Sequence, residues 1–235
     1  IHLASGWQAL LPFSVWRWEC QMELDALKEY TRKYWAEAKD THVADPAYYQ
    51  LAETELRGIL ARHFLPGTNV LDIGCGNGEY TVIVAEQAGR VLAFDISENL
   101  LASARKRCEA LGNVSFFQTN VATTKVAFNA QVDAVFCMGV FACMPDDAQL
   151  AQMLNDFAGY LVDGGLLVLR DSTVQGAQQY VRYPSGHIGY YRNKAAMLET
   201  LRQKGFDLTE EIPLKAVVEP FNHYFVLRKR ASGRG

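Results

Sequence analysis

What the chain lacks narrows the field first. Its five cysteines, Cys20, Cys75, Cys108, Cys137 and Cys143, include no C-x-x-C pair, and its five histidines, His2, His42, His63, His187 and His223, include no H-x-H or H-x-x-x-H pair. Metal clamps and disulfide frameworks depend on such spacings, so the expectation is no structural metal, a reducing compartment and a cytoplasmic protein. A formal net charge of −3 leaves no clustered basic face of the kind that phosphates demand, and no nucleic-acid partner is expected. The local exception, Leu227-Arg228-Lys229-Arg230, reads as a solvated strand end. The opening Ile1 to Trp18 is apolar, but Pro12 and Arg17 interrupt it, and it lacks the basic leader and small-residue cleavage pattern of a signal. No membrane association is expected. Internal repeats and low-complexity segments are absent as well.

What is present fits one globular domain: 235 residues, 49% of them hydrophobic. Residues 1–21 read as an apolar extension, surface-packed or disordered. Because the chain opens on Ile and turns helix-like after Met22, two readings of this extension stay open, a native segment and translated upstream sequence. Residues 22–68 carry two helices, Met22 to Trp35 and Pro46 to Phe64, the second with Asp45-Pro46 as cap and first turn. From residue 69 to 230 the pattern alternates. Apolar runs at Val70 to Ile73, Arg90 to Phe94, Val114 to Phe117, Ala134 to Cys137 and Leu166 to Leu169 are separated by helical stretches, one capped by Ser97 and one running from Leu150 to Leu161. Continuous apolar strands belong in a sheet covered on both faces. A helix near Ala195 to Lys204 and two strands, Phe206 to Glu210 and Tyr224 to Arg228, close the domain before a tail at 231–235. Their connection is too short for a parallel crossover, so this last pair is antiparallel at the sheet edge. The expected fold is an α/β three-layer sandwich around a mostly parallel, seven-stranded sheet with an antiparallel terminal strand.

The chemistry concentrates after the first core strand, in Asp72-Ile73-Gly74-Cys75-Gly76-Asn77-Gly78. In an open parallel sheet, ligands bind beyond the carboxyl ends of the strands, and glycines there let backbone approach a bulky ligand. A lone G-x-G-x-G is equally a tight strand-to-helix turn. Two acids tip the balance. Asp72 ends an apolar run, where a carboxylate is costly unless loop amides or a cation solvate it. Asp95 ends the next strand, where it can accept from both hydroxyls of a ribose.

With these residues the sequence resembles the class I S-adenosylmethionine-dependent methyltransferases of small-molecule type, whose first motif is similar to Val70 to Gly78; the resemblance runs over about Asn69 to Arg228. It implies a Rossmann-like fold and S-adenosylmethionine as cofactor. The glycine loop (Asp72, Gly74, Cys75, Gly76, Gly78) would hold the methionine part, Asp95 the ribose, and Ile96, Asn120 and Val121 the adenine. Met138 and Gly139 would flank the methionine from the fourth core strand. Asn120 stands where the family often has an acid; its amide oxygen can still accept from the adenine amino group. Where many small-molecule members carry a histidine, this chain has Phe141-Ala142-Cys143.

A proton acceptor is therefore sought elsewhere. The stretch 171–192 crowds Asp171, Tyr180, Arg182, Tyr183, His187, Tyr190, Tyr191 and Arg192 near the expected cofactor mouth and reads as a substrate loop. His187 is the preferred base, since an unperturbed imidazole titrates near neutrality, and Asp171 is its rival. Arg170, Arg182 and Arg192 are candidates for an anionic substrate group, and Tyr34, Phe141, Tyr190 and Tyr191 for its apolar part. Core packing is the expected role of Trp35. The expected activity is methyl transfer to an oxygen or nitrogen of a small molecule. A protein or peptide amine methyltransferase, an NAD-dependent oxidoreductase and a non-catalytic binding protein of the same fold are the alternatives.

Overall fold

The computed structural model describes residues 16–18, 22–41, 46–65, 67–121, 131–214 and 221–231. Most of the expected extension, the cap residue Asp45 and the tail beyond Ala231 lie outside them. A short strand β1 (Trp16–Trp18) precedes helices α1 (Leu24–Ala36) and α2 (Pro46–His63). The core then alternates: β2 (Asn69–Ile73), α3 (Glu79–Ala85), β3 (Arg90–Asp95), α4 (Glu98–Arg107), β4 (Val114–Gln118), β5 (Val132–Met138), a 3-10 turn at Phe141–Cys143, α5 (Asp147–Tyr160) and β6 (Leu161–Val174). A hairpin of β7 (Gln179–Arg182) and β8 (Ile188–Asn193) follows, then α6 (Lys194–Gln203), β9 (Phe206–Leu214) and β10 (Phe221–Lys229).

The main sheet runs β4-β3-β2-β5-β6-β10-β9, parallel from β4 to β6. β10 is antiparallel to both its neighbours. This is the expected seven-stranded sheet, with the last strand inserted beside β6 and β9 left at the edge. Alternate residues of the same strand enter two different cores. Leu71 and Ile73, Val135 and Cys137, and Leu167 and Leu169 pack under α5 and α6 with Met153, Phe157, Met197 and Leu201. Val70, Ala134, Phe136, Leu166 and Val168 pack under α2, α3 and α4 with Leu56, Ile59, Leu60, Ile83 and Leu101. Burial on both faces explains why these strands read as unbroken apolar runs. Each Val, Leu, Ile, Phe or Met side chain among them contributes about 1.5–3 kcal/mol by leaving water, before the ordering cost.

One expectation is corrected. The stretch 171–192 is not a loop: it is the end of β6 followed by the β7–β8 hairpin, with β1 added antiparallel to β7. Its turn is closed by Tyr183 N–H to the His187 carbonyl at 2.8 Å and Gly186 N–H to the Tyr183 carbonyl at 2.9 Å. At Thr173 the strand β6 pairs with β10 on one edge and with β8 on the other, so β8 takes the edge that β5 occupies lower down. The hairpin therefore stands above the carboxyl end of β5. Its aromatic and charged residues hid the strand alternation, because the face they bury is turned to the cavity and to a small separate cluster of Ala142, Val174, Val181 and Tyr191 rather than to the main cores.

Candidate active site

Above the carboxyl ends of the parallel strands lies a cavity of about 630 Å³, within the range usual for small-molecule sites. At one end Gly74, Gly76, Asp95, Ile96, Asn120, Val121, Met138 and Gly139 line it; at the other end stand Ala142, Cys143, Asp171, Tyr183, His187 and Tyr191.

The first end is built from laced strand termini. The amides of Gly74 and Cys75 both donate to the Phe94 carbonyl of β3, at 2.8 and 2.9 Å, and the Thr119 amide donates to the Asp95 carbonyl at 2.8 Å. The Asp95 carboxylate is oriented by two amides, Gly76 N–H at 2.8 Å on one oxygen and Ser97 N–H at 2.9 Å on the other. Burial raises its pKa while these amides lower it, and each oxygen keeps a lone pair for a ligand. Ser97 also caps α4 and donates to the Ala38 carbonyl at 2.8 Å, which ties the segment after α1 to this end.

Of the loop residues expected on the cofactor, Gly78 lines neither hollow, while Asp72 and Cys75 border a small hollow beside the main cavity, shared with Gly74, Gly76, Met138 and Arg170. Gly78, at φ 78°, leaves no room for a Cβ, which would lie 2.9 Å from the Ala104 backbone of α4; its role is close helix packing. Cys75 is buried under the loop. Asp72 meets neither loop amides nor a cation: the Thr81 hydroxyl of α3 donates to it at 2.6 Å. Burial pushes Asp72 up to about 7, partly offset by that bond. Gly74, by contrast, faces the cavity at φ 70°, where a Cβ would come 2.3 Å from a methyl of Val140.

At the second end the Asp171 carboxylate accepts from the Ser172 amide at 2.8 Å and the Ala142 amide at 3.2 Å. Burial pushes it up to about 6 against these bonds and the nearby Arg192 charge. His187, pushed down to about 4 by burial, is stacked on Tyr183 with ring centroids 5.2 Å apart and meets Trp35 edge-on at 5.0 Å. Helix α1 closes this end. Tyr30 donates to the Gly186 carbonyl of the hairpin at 2.7 Å, and Lys28 pairs with Asp146 at the start of α5 at 3.1 Å.

The remaining expectations are corrected here. Arg192 is a clamp: buried, it donates to the carbonyls of Phe141 and Met144 at 2.8 and 2.6 Å and pairs with Asp147 at 2.7 Å. It pins the 3-10 turn that walls the cavity. Phe141 is turned into the core, and Tyr190 lies between Tyr180 and the Arg192 guanidinium. Arg182 is exposed on β7 and does not line the cavity, and Tyr34 meets the site through the rings of His187, at 5.8 Å, and Trp35, at 5.2 Å. Trp35, expected in the core, lines the cavity, as do Thr41, Tyr48, Tyr49 and Asn222. The doubled tyrosine in the first turn of α2, just after Pro46, was the one signal in the sequence for these. Arg170 does reach the cavity, but from the glycine-loop side: its guanidinium donates to the hydroxyls of Tyr48 and Tyr80 at 3.2 and 2.9 Å and lies over both rings.

Comparisons with known proteins lead to methyltransferases. A family described as a methyltransferase domain matches residues 70–165. The chain is 27% identical over 132 residues to the ubiquinone biosynthesis O-methyltransferase of Methylococcus capsulatus, covering 54% of this chain and 53% of that protein. With the protein of that description from Xylella fastidiosa it shares 28% over 203 residues, 81% of this chain and 80% of the relative. The first curated relatives are thus matched over about half to three-fifths of their own length. Among solved structures, the N-methyltransferase NodS of Bradyrhizobium japonicum with S-adenosyl-l-homocysteine superposes with a TM-score of 0.67 at 16% identity, over 88% of this chain and 98% of that one. Phosphoethanolamine N-methyltransferase 1 of Haemonchus contortus gives 0.70 at 20% identity, over 91% of this chain and 51% of that one. At such identities the structural likeness is one of fold.

Proposed function

We propose that the chain is a class I S-adenosylmethionine-dependent methyltransferase whose cavity passes the methyl group of S-adenosylmethionine to a small-molecule acceptor, a reading supported by the methyltransferase-domain match and the O-methyltransferase relatives. The observation that carries this is Asp95: a buried carboxylate whose two oxygens are aimed by the Gly76 and Ser97 amides into a cavity shared with Asp171 and His187. In this assignment Asp95 accepts from the ribose hydroxyls, Ile96, Asn120 and Val121 bound the adenine, and Gly74, Gly76, Met138 and Gly139 flank the methionine. Arg170, placed by sequence with the acceptor, is reassigned to the methionine carboxylate. It has no carboxylate partner at bonding distance among the described residues, and it adjoins Gly139.

When bound, the sulfonium supplies an electrophilic methyl group; the protein's part is to align the acceptor and take its proton. Asp171 suits the second task better than His187. At a pKa of about 6 it is largely ionised near neutral pH yet retains basicity, whereas an imidazole at about 4 is the weaker base. Among the described residues no helix is long and apolar enough to cross a membrane.

Isothermal calorimetry tests this assignment. The chain is expected to bind S-adenosylhomocysteine at one site and to prefer it to NADH. Asp95→Ala, which removes hydrogen bonds to a charged group, is expected to weaken that binding by about 10²-fold. Preference for the dinucleotide, or an unchanged affinity in the variant, would sink the assignment.

A further inference from the structure

The imidazole of His187 is solvated unevenly. Nδ1 is sealed from water with no hydrogen-bond partner, wedged among the rings of Tyr34, Trp35 and Tyr183. Nε2, at the opposite edge of the ring, is the nitrogen left open where His187 lines the cavity. A buried N–H without an acceptor is the costlier orphan, a bare lone pair the cheaper one, so the single proton of the neutral ring belongs on Nε2. Protonating the ring would force a second N–H onto the sealed Nδ1, and burial accordingly drives the pKa down to about 4. The titratable groups against the ring are the phenols of Tyr34 on α1 and Tyr183 on the hairpin; no carboxylate or cation among the described residues perturbs it.

We propose that His187 is a neutral hydrogen-bond donor, its Nε2–H directed at the acceptor atom, and that this atom is a hydroxyl oxygen. This rests on the methyltransferase assignment above and decides between its two acceptor classes. A neutral amine has one lone pair, which it needs for attack, and nothing left to accept from Nε2–H. An oxygen has two: one accepts from His187 and orients the group, the other attacks, and the hydroxyl proton passes to the Asp171 carboxylate. His187 thus holds the acceptor without ever gaining charge.

The tautomer is directly observable. In the full chain carrying ¹⁵N-histidine and bound S-adenosylhomocysteine, His187 is expected to show a bare Nδ1 and a protonated Nε2, unchanged across neutral pH. Adding phenol as a probe should shift the Nε2–H resonance, and adding toluene should not. In turnover, a screen of phenols is expected to gain methyl groups while the matched anilines do not. His187→Gln, which keeps a side-chain N–H, should retain kcat/KM within about tenfold and leave the pH profile in place, whereas His187→Phe raises the KM for the phenol further. A proton on Nδ1, titration near neutrality, preferred methylation of anilines, or equal losses in the Gln and Phe variants at unchanged cofactor affinity would each overturn the proposal. A wild-type chain that does not bind S-adenosylhomocysteine would overturn the methyltransferase assignment as well, and calorimetry separates that failure from the others.

Discussion

The two ends of the cavity are built by different rules. The Asp95 end is made of consecutive strand termini whose backbone amides and carbonyls lace one to the next, so its geometry follows once the parallel sheet forms. The Asp171 end is assembled from α1, the 3-10 turn and the hairpin, segments far apart in sequence that meet through side chains: Tyr30 to Gly186, Arg192 to Phe141 and Met144, Asp171 to Ala142. The first end is a consequence of the fold; the second is added to it. Substitutions should therefore separate the ends, impairing acceptor handling while leaving cofactor affinity intact.

The largest separation is expected at Asp171. Asp171→Asn keeps one acceptor oxygen, enough for the Ala142 and Ser172 amides that share Oδ1, but removes the base, and should cost about 10²- to 10⁴-fold in kcat with S-adenosylhomocysteine affinity unchanged. In the wild type the rate should rise with pH through about 6, as Asp171 ionises, and this limb should vanish in the variant. Stability should run the other way. A carboxyl whose folded pKa lies above its unfolded value contributes stability that is fully present below about 4 and is lost as pH rises through about 6. Asp171→Asn should flatten that slope in a series of thermal melts, and a variant with the wild-type slope and an intact rate limb would remove Asp171 from both roles.

A smaller effect, chiefly on stability, is expected at the clamp. Arg192→Leu leaves the Phe141 and Met144 carbonyls unpaired and should cost about 2–5 kcal/mol in urea unfolding. In the folded fraction the KM for the acceptor should rise, because the wall at Ala142 and Cys143 is no longer pinned. A loss confined to cofactor affinity would show that the two ends are not separable there.

The same division explains what could be read from the sequence. Strand runs buried on both faces, the Ser97 cap, Gly74 and Gly76 at the cavity and Asp95 at the end of β3 all express local rules, and the sequence places each of them there. The second end depends on pairings that no local pattern encodes. Arg192 looked like a ligand for an anion because nothing in its neighbourhood reveals two carbonyls contributed from residues 141 and 144. Trp35 looked like core because its periodicity on α1 cannot say that the helix spans a cavity. Asp72 was rightly singled out as a carboxylate needing a partner, but the partner, Thr81, lies one helix turn beyond the motif and answers a packing need rather than a ligand.

The most direct test of a single cavity with two ends is a crystal structure of the full chain with S-adenosylhomocysteine. The predicted result places the ribose hydroxyls on Asp95, the carboxylate on Arg170 and the sulfur facing the space between Asp171 and His187. Density for the cofactor elsewhere, or with its sulfur turned away from that space, would contradict the account.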